Sequence, residues 1–210
     1  AYYDGQSAAF IFTGVYAAGI FDWPTTQIGI YGLLIIMAQV PSSLLGGWLD
    51  DKFGSKATIV GAVSLFALGL LLLVGTTETA AAFFIPVSME PLEPLSFIGS
   101  TLNAAGFETS AERAFLLLGV LTGLFAGPSI SSSRTMLARI APPSMMAEFF
   151  GLYALCGKAT SFMAPLTVAI VTSAMNSQRI GLASVLVFMV VGLGLMVFVR
   201  EEQSTAHTEH

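Results

Sequence analysis

The chain holds a single cysteine, Cys156, so no intrachain disulfide can form and the redox compartment is unreadable. Charge is nearly as scarce: 10% of residues are Asp, Glu, Lys or Arg, against about a quarter in soluble domains. An ordinary water-soluble globule is thereby excluded. No basic patch is dense enough for nucleic acid, and the net charge of −5 says little because most acids fall in connecting segments. Histidine occurs only as His207 and His210, in a polar C-terminal tail where solvation is the simpler reading than metal binding. An intramembrane enzyme would need a nucleophile–base pair or metal ligands at depth, and the apolar segments supply no histidine and one cysteine. No metal or organic cofactor is implied. No secretory leader is recognisable, and the chain opens on Ala1 within apolar sequence, which reads as an N-terminal truncation.

What is abundant is uninterrupted apolar sequence. Hydrophobic residues make up 55% of the chain, and no charge occurs from Trp23 to Leu49 or from Ala57 to Thr77. A membrane span needs roughly 20 apolar residues. Six candidates follow: 1–21, 25–49, 57–75, 114–133, 148–175 and 180–199. Helices satisfy their own backbone in lipid, and the segments are too long for barrel strands. The expected fold class is therefore all-α, an integral membrane six-helix bundle over residues 1–200, with 201–210 as a disordered tail bathed by solvent. Lys52, Lys56, Arg134, Arg139 and Arg200 fall on one side if the spans alternate, and Arg113 and Arg179 on the other. The basic side is expected to be cytoplasmic, and with it the C-terminus. The opposite side receives the long connection 76–113, with Glu78, Glu90, Glu93, Glu108 and Glu112; its Pro-rich stretch 83–97 is expected to lie along the interface.

Two charges are out of place. Lys158 lies about ten residues into the fifth span, where insertion of a lysine costs roughly 2.5–3.5 kcal/mol. Asp4, in the first span, is its natural counter-charge, since both spans run outward from the same side. The pair either lines a cavity and handles substrate or a proton, or fixes helix packing; both readings are open. The run Gly157-Lys158-Ala159-Thr160 is not a phosphate loop, because Gly151 is one residue too distant and Ala159 stands where Ser or Thr is required. In the fourth span Gly119, Gly123, Gly127, Ser131 and Thr135 recur every four residues, a small-residue stripe that admits a close helix neighbour. Below Pro128 the run ends in Ser131-Ser132-Ser133-Arg134, polar enough for a pathway and equally compatible with tight packing plus a snorkelling Arg134. Pro41 and Pro165 are further kink signals.

The turn between the second and third spans carries a motif. Gly47, Leu49, Asp51, Lys52, Gly54 and Lys56 resemble the Gly-x-Leu-x-Asp-Arg/Lys-x-Gly-x-Lys/Arg signature of the major facilitator superfamily. Gly47 and Gly54 would permit close approach and a tight turn, and Asp51 would face a helix N-terminus or a basic partner. Further runs are similar to the vacuole-effluxer-like (autophagy-related) branch: Tyr3-Asp4-Gly5, Val15 to Gly19, Leu49 to Lys56, Ser133-Arg134-Thr135, and Glu148 to Phe162; Ile130 departs from the polar residue expected there. The resemblance implies the second half of a twelve-helix protein in a bacterial inner membrane, whose partners are lipid, a small-molecule substrate and an N-terminal six-helix half. It implies secondary transport of a small polar solute by alternating access around a midplane site, with amino acids the substrate class of fungal relatives. Asp4, Lys158, Tyr3, Ser131 and Arg134 are then substrate or coupling candidates, and Gly47, Asp51, Lys52, Gly54 and Lys56 the cytoplasmic gate. The rival reading is a structural or partner membrane protein that transports nothing.

Overall fold

The computed structural model describes residues 2–87 and 97–199. Helix α1 (Tyr2–Phe21) ends at Asp22, whose φ of 54° turns the chain into Trp23-Pro24 and α2 (Thr25–Phe53). One residue, Gly54, separates α2 from α3 (Ser55–Val74); its φ of 86° suits glycine and strains any other residue. A two-stranded ribbon, β1 (Ala80–Ala81) with β2 (Ile85–Pro86), and a short helix α4 (Phe97–Ala104) cap that end of the bundle. Helix α5 (Ser110–Ile140) follows, then α6 (Met146–Thr160), α7 (Met163–Met175), α8 (Gln178–Ala183) and α9 (Val185–Phe198).

The expected spans are recovered as helices, with two of them interrupted. Among the described residues, five helical stretches are long and apolar enough to cross a membrane: α2, α3, α5, the 143–175 stretch and the 178–198 stretch. Helix α1 turns Asp4, Gln6 and Thr13 inward. The fifth span breaks at Ser161-Phe162, four residues before Pro165, whose nitrogen cannot donate to the Ser161 carbonyl and whose ring presses on it. Pro41 and Pro128, by contrast, are carried inside α2 and α5 without ending them.

Helix α5 is the central strut, packed along both α2 and α3. The four-residue stripe makes this possible. A methyl group on Gly127 would lie 2.7 Å from the Gln39 carbonyl oxygen and 2.8 Å from the Ser43 nitrogen, and one on Gly123 would lie 3.1 Å from the Ile35 carbonyl oxygen. The backbones thus meet where side chains are missing, as small-residue seams in membranes allow. Helix α2 contributes Gly46, whose added methyl would stand 2.5 Å from Pro128 Cα; Gly47 faces open space among the described residues. Both ends of α5 are also fastened. At its start, Thr109 and Glu112 form a reciprocal capping box, and the buried Glu112 carboxylate accepts from Trp23 Nε1 at 3.0 Å. Around that bond Trp23 packs against Phe21, Tyr31, Phe107 and Phe115 with ring centroids 5.0–5.6 Å apart.

Four expectations are corrected or bounded. Helix α5 runs through Ile140, so Arg134 is a helix residue rather than a loop residue. The polar run below Pro128 is helical, as read from the sequence, and Ser129, Ser133 and Thr135 satisfy their hydroxyls on the carbonyls of Ala126, Ser129 and Ser131. Arg113 is bonded to the Phe107 carbonyl oxygen at 3.1 Å and to Asn103 Oδ1, so it staples α5 to the cap instead of marking a free loop. Only 83–87 and 97 of the interfacial stretch 83–97 are described. Arg200, Glu90, Glu93 and the 201–210 tail with both histidines lie outside the described residues.

Candidate functional site

A chain of polar contacts runs through the apolar bundle where α1, α5 and α6 meet. Gln6, 1% exposed, donates from Nε2 to Ser129 Oγ at 2.9 Å, and Ser129 lies within 3.2 Å of Gln6 Oε1. One helical turn earlier the Tyr2 hydroxyl bonds Ser133 Oγ. Beside it the Tyr153 phenol on α6 lies within electrostatic reach of the Arg134 guanidinium and of Tyr2 and Tyr3. Ser133 is seven residues before the end of α5, about 10 Å of rise, and the Gln6–Ser129 pair is deeper still. These groups therefore sit inside a hydrocarbon core of about 30 Å.

Asp4 belongs to this cluster. It is 4% exposed, and the Thr160 hydroxyl donates to its Oδ2 at 2.8 Å. Thr160 is the last residue of α6, at the interruption that Pro165 imposes. The same hydroxyl lies 2.9 Å from the Cys156 carbonyl oxygen. One proton cannot serve both acceptors fully, so the Thr160 hydroxyl has two alternative partners, one a titratable carboxylate and the other its own helix.

The sequence-derived candidates separate into groups. Tyr3 and Arg134 are exposed and lie within electrostatic range of Tyr153. Lys158 does not pair with Asp4: among the described residues no ion pair involves it, and its side chain is exposed on α6. The reason is helical phase. Thr160 is two residues, hence about 200°, further round the helix, and it is Thr160 that faces Asp4. Ser131 lies apart, bonded to the Pro128 carbonyl oxygen at 3.2 Å against α2 at Gly46. Sequence reasoning missed Gln6, Tyr2, Tyr153 and Thr160; a glutamine at position 6 of an apolar span was the available signal.

At the charged end the motif residues take distinct positions. Asp50, 2% exposed, is held by Arg139 at 2.8 Å, while Asp51, 82% exposed, stands 3.7 Å from the same guanidinium. Arg139 Nη1 also donates to Ser55 Oγ at 3.0 Å, at the start of α3. Asp50 is therefore the carboxylate that ties α2 to α5, a role the sequence reading gave to Asp51. Lys56 donates to the carbonyl oxygens of Val197 (3.3 Å) and Val199 (2.7 Å), capping the end of α9 where a cation is favoured. Lys52 lies over the rings of Trp48 and Phe53, 5.0 and 5.3 Å from their centroids.

The sequence pattern of the family described as Vacuole effluxer Atg22 like matches residues 2–209. The chain belongs to this family. It is 28% identical over 189 residues to Autophagy-related protein 22 of Cryptococcus neoformans var. neoformans, an alignment covering 90% of this chain and 32% of that protein. It is also 28% identical over 149 residues to the Uncharacterized MFS-type transporter YxiO of Bacillus subtilis, covering 65% of this chain and 34% of the relative. The Vacuole effluxer Atg22 like chain is thus an integral, multi-pass membrane protein of a facilitator-type branch. It spans about a third of the length of the curated relatives it matches. No solved structure matches it.

Proposed function

We propose that this chain forms one six-helix half of a secondary transporter that moves a small polar solute by alternating access, its charged end in the cytoplasm of a bacterium. Amino-acid efflux is the finer form of the reading, drawn from the vacuole-effluxer relatives. One observation carries the proposal: a buried carboxylate, Asp4, at membrane depth, bonded to Thr160 at a helix interruption. Ionisable groups inside a membrane are costly, and their common use is in substrate and proton paths. Interrupted helices supply such sites in transporters, because irregular backbone at depth is tolerated only where protein or a cavity receives it. Tyr3, Arg134 and Lys158, exposed on the same half, would face the solute and the second half. The Asp50–Arg139 and Lys56–α9 contacts would brace the cytoplasmic end of this half, so that it moves as a unit against the other half as the cytoplasmic gate opens and closes. The test is flux in vesicles containing the full-length protein, with and without a pH gradient. Asp4→Asn should abolish gradient-driven flux while insertion and folding persist; undiminished flux overturns the assignment.

A further inference from the structure

Charge at membrane depth is unevenly placed in this half. Among the described residues the charged side chains at that depth are Asp4, Arg134 and Lys158. Asp4 is 4% exposed and engaged by Thr160, whereas both cations are exposed. The surface that this half offers inside the membrane is therefore cationic.

Arg134 has company at its own level. The Tyr2–Ser133 bond sets the start of α1 against α5 one residue before Arg134. Tyr3 is 46% and Tyr153 39% exposed, and Tyr153 lies within electrostatic range of both Tyr3 and Arg134. Arg134 is six residues before the end of α5 and Tyr153 seven residues past the start of α6, so both stand about 10 Å along their helices from the charged end. Three helices thus bring one guanidinium and two phenols together.

These groups share a chemistry. A guanidinium donates and never accepts, its fork matches the two oxygens of a carboxylate, and a phenol can donate beside it. Among the described residues no ion pair involves Arg134. The acids on these three helices nearest to the cluster in sequence are Asp4, turned onto Thr160, and Glu148, in the first turn of α6. A cationic solute would be repelled here, and a neutral one would leave the guanidinium uncompensated in a poorly solvating medium. A phosphate dianion calls for a second cation. Lys158 does not supply it, being five residues beyond Tyr153, hence about 140° round α6 and about 7 Å deeper. One guanidinium suits one monoanion.

We propose that Arg134, with the phenols of Tyr3 and Tyr153, receives a carboxylate of the transported solute. The assignment rests on the transport reading above and narrows its substrate from polar to carboxylate-bearing.

The test is ligand-induced thermal stabilisation of the full-length protein in nanodiscs. The probes are alanine, leucine, lactate and succinate, each beside its amide, together with inorganic phosphate. At least one acid should stabilise while its amide does not. Arg134→Gln should weaken that binding about 10–100-fold and Tyr153→Phe about 3–10-fold. Should Arg134→Gln fail to insert, Tyr153→Phe, which keeps the ring, decides alone. An amide as effective as its acid, stabilisation by phosphate alone, no response to any acid, or undiminished binding in the variants overturns the proposal; the last is the result a merely snorkelling arginine would give. Vesicle flux separates this claim from the one beneath it. Arg134-dependent binding of an acid that is never transported keeps the site and sinks the transport reading, whereas flux confined to solutes without a carboxylate keeps transport and sinks the site.

Discussion

Removing Arg139 should damage this protein more than removing either carboxylate it touches. Asp50 is 2% exposed and meets the guanidinium at 2.8 Å, whereas Arg139 itself is 40% exposed. Neither Asp50 carboxylate oxygen has a well-formed hydrogen bond, so the ion pair is its main compensation among the described residues. Arg139→Ala therefore strands a buried charge. Breaking a fully buried pair in this way costs about 3–5 kcal/mol, and the half-exposed guanidinium reduces this to roughly 2–3 kcal/mol. Asp50→Asn keeps the shape, and the freed Arg139 can be hydrated or draw nearer Asp51, so the loss should be about 1–2 kcal/mol. Asp51→Asn, an exposed group 3.7 Å away, should cost about 0–1 kcal/mol. At about 2–4 °C per kcal/mol, thermal unfolding in nanodiscs should rank them Arg139→Ala, Asp50→Asn, Asp51→Asn. The double variant Asp50→Asn/Arg139→Ala should be more stable than Arg139→Ala alone. Additive losses, or an Asp51→Asn effect matching that of Asp50→Asn, would refute the reasoning.

Gly127→Ala should destabilise by about 1–3 kcal/mol through overpacking, because its methyl meets α2 backbone at 2.7 Å, whereas Gly29→Ala, in open space, should be neutral or stabilising by thermal unfolding. Trp23→Phe should cost about 1–3 kcal/mol by leaving the buried Glu112 carboxylate short of a donor, read from the same melts. Pro165→Ala allows the Ser161 carbonyl its helical partner; amide exchange at 161–166 should slow, and flux by the full-length protein should fall. Lys158→Ala should leave insertion and melting unchanged, since the side chain is exposed and unpaired among the described residues, and should lower flux in vesicles; full flux would remove Lys158 from the pathway.

Apolar length alone made the spans legible, and the four-residue spacing from Gly119 to Ser131 correctly announced a close helix neighbour. Depth along a span could be counted, which brought Asp4 near the level of the fifth span. Direction around a span could not. These helices are apolar on nearly every side, so hydrophobic periodicity gives no phase, and neighbouring positions such as Lys158 and Thr160, or Asp50 and Asp51, are indistinguishable until the partner helix is placed. For the same reason the serine run below Pro128 could be read equally as a pathway or as tight packing, because the sequence does not show that Ser129 and Ser133 face Gln6 and Tyr2. Long-range pairs such as Gln6 with Ser129, 123 residues apart, leave no local trace.

The fastening of α5 has a mechanical consequence. Trp23 and Gln27 hold its beginning, directly at Glu112 and through the Gly106 carbonyl oxygen; the glycine seam grips its middle, and Asp50 and Ser55 clamp its far end. A rod pinned at three heights cannot slide or roll against α2, so the two behave as one beam. Any rocking must be absorbed elsewhere, and α6, with no buried residue of its own and a proline-made joint at Ser161, is the compliant member on which such a beam would pivot.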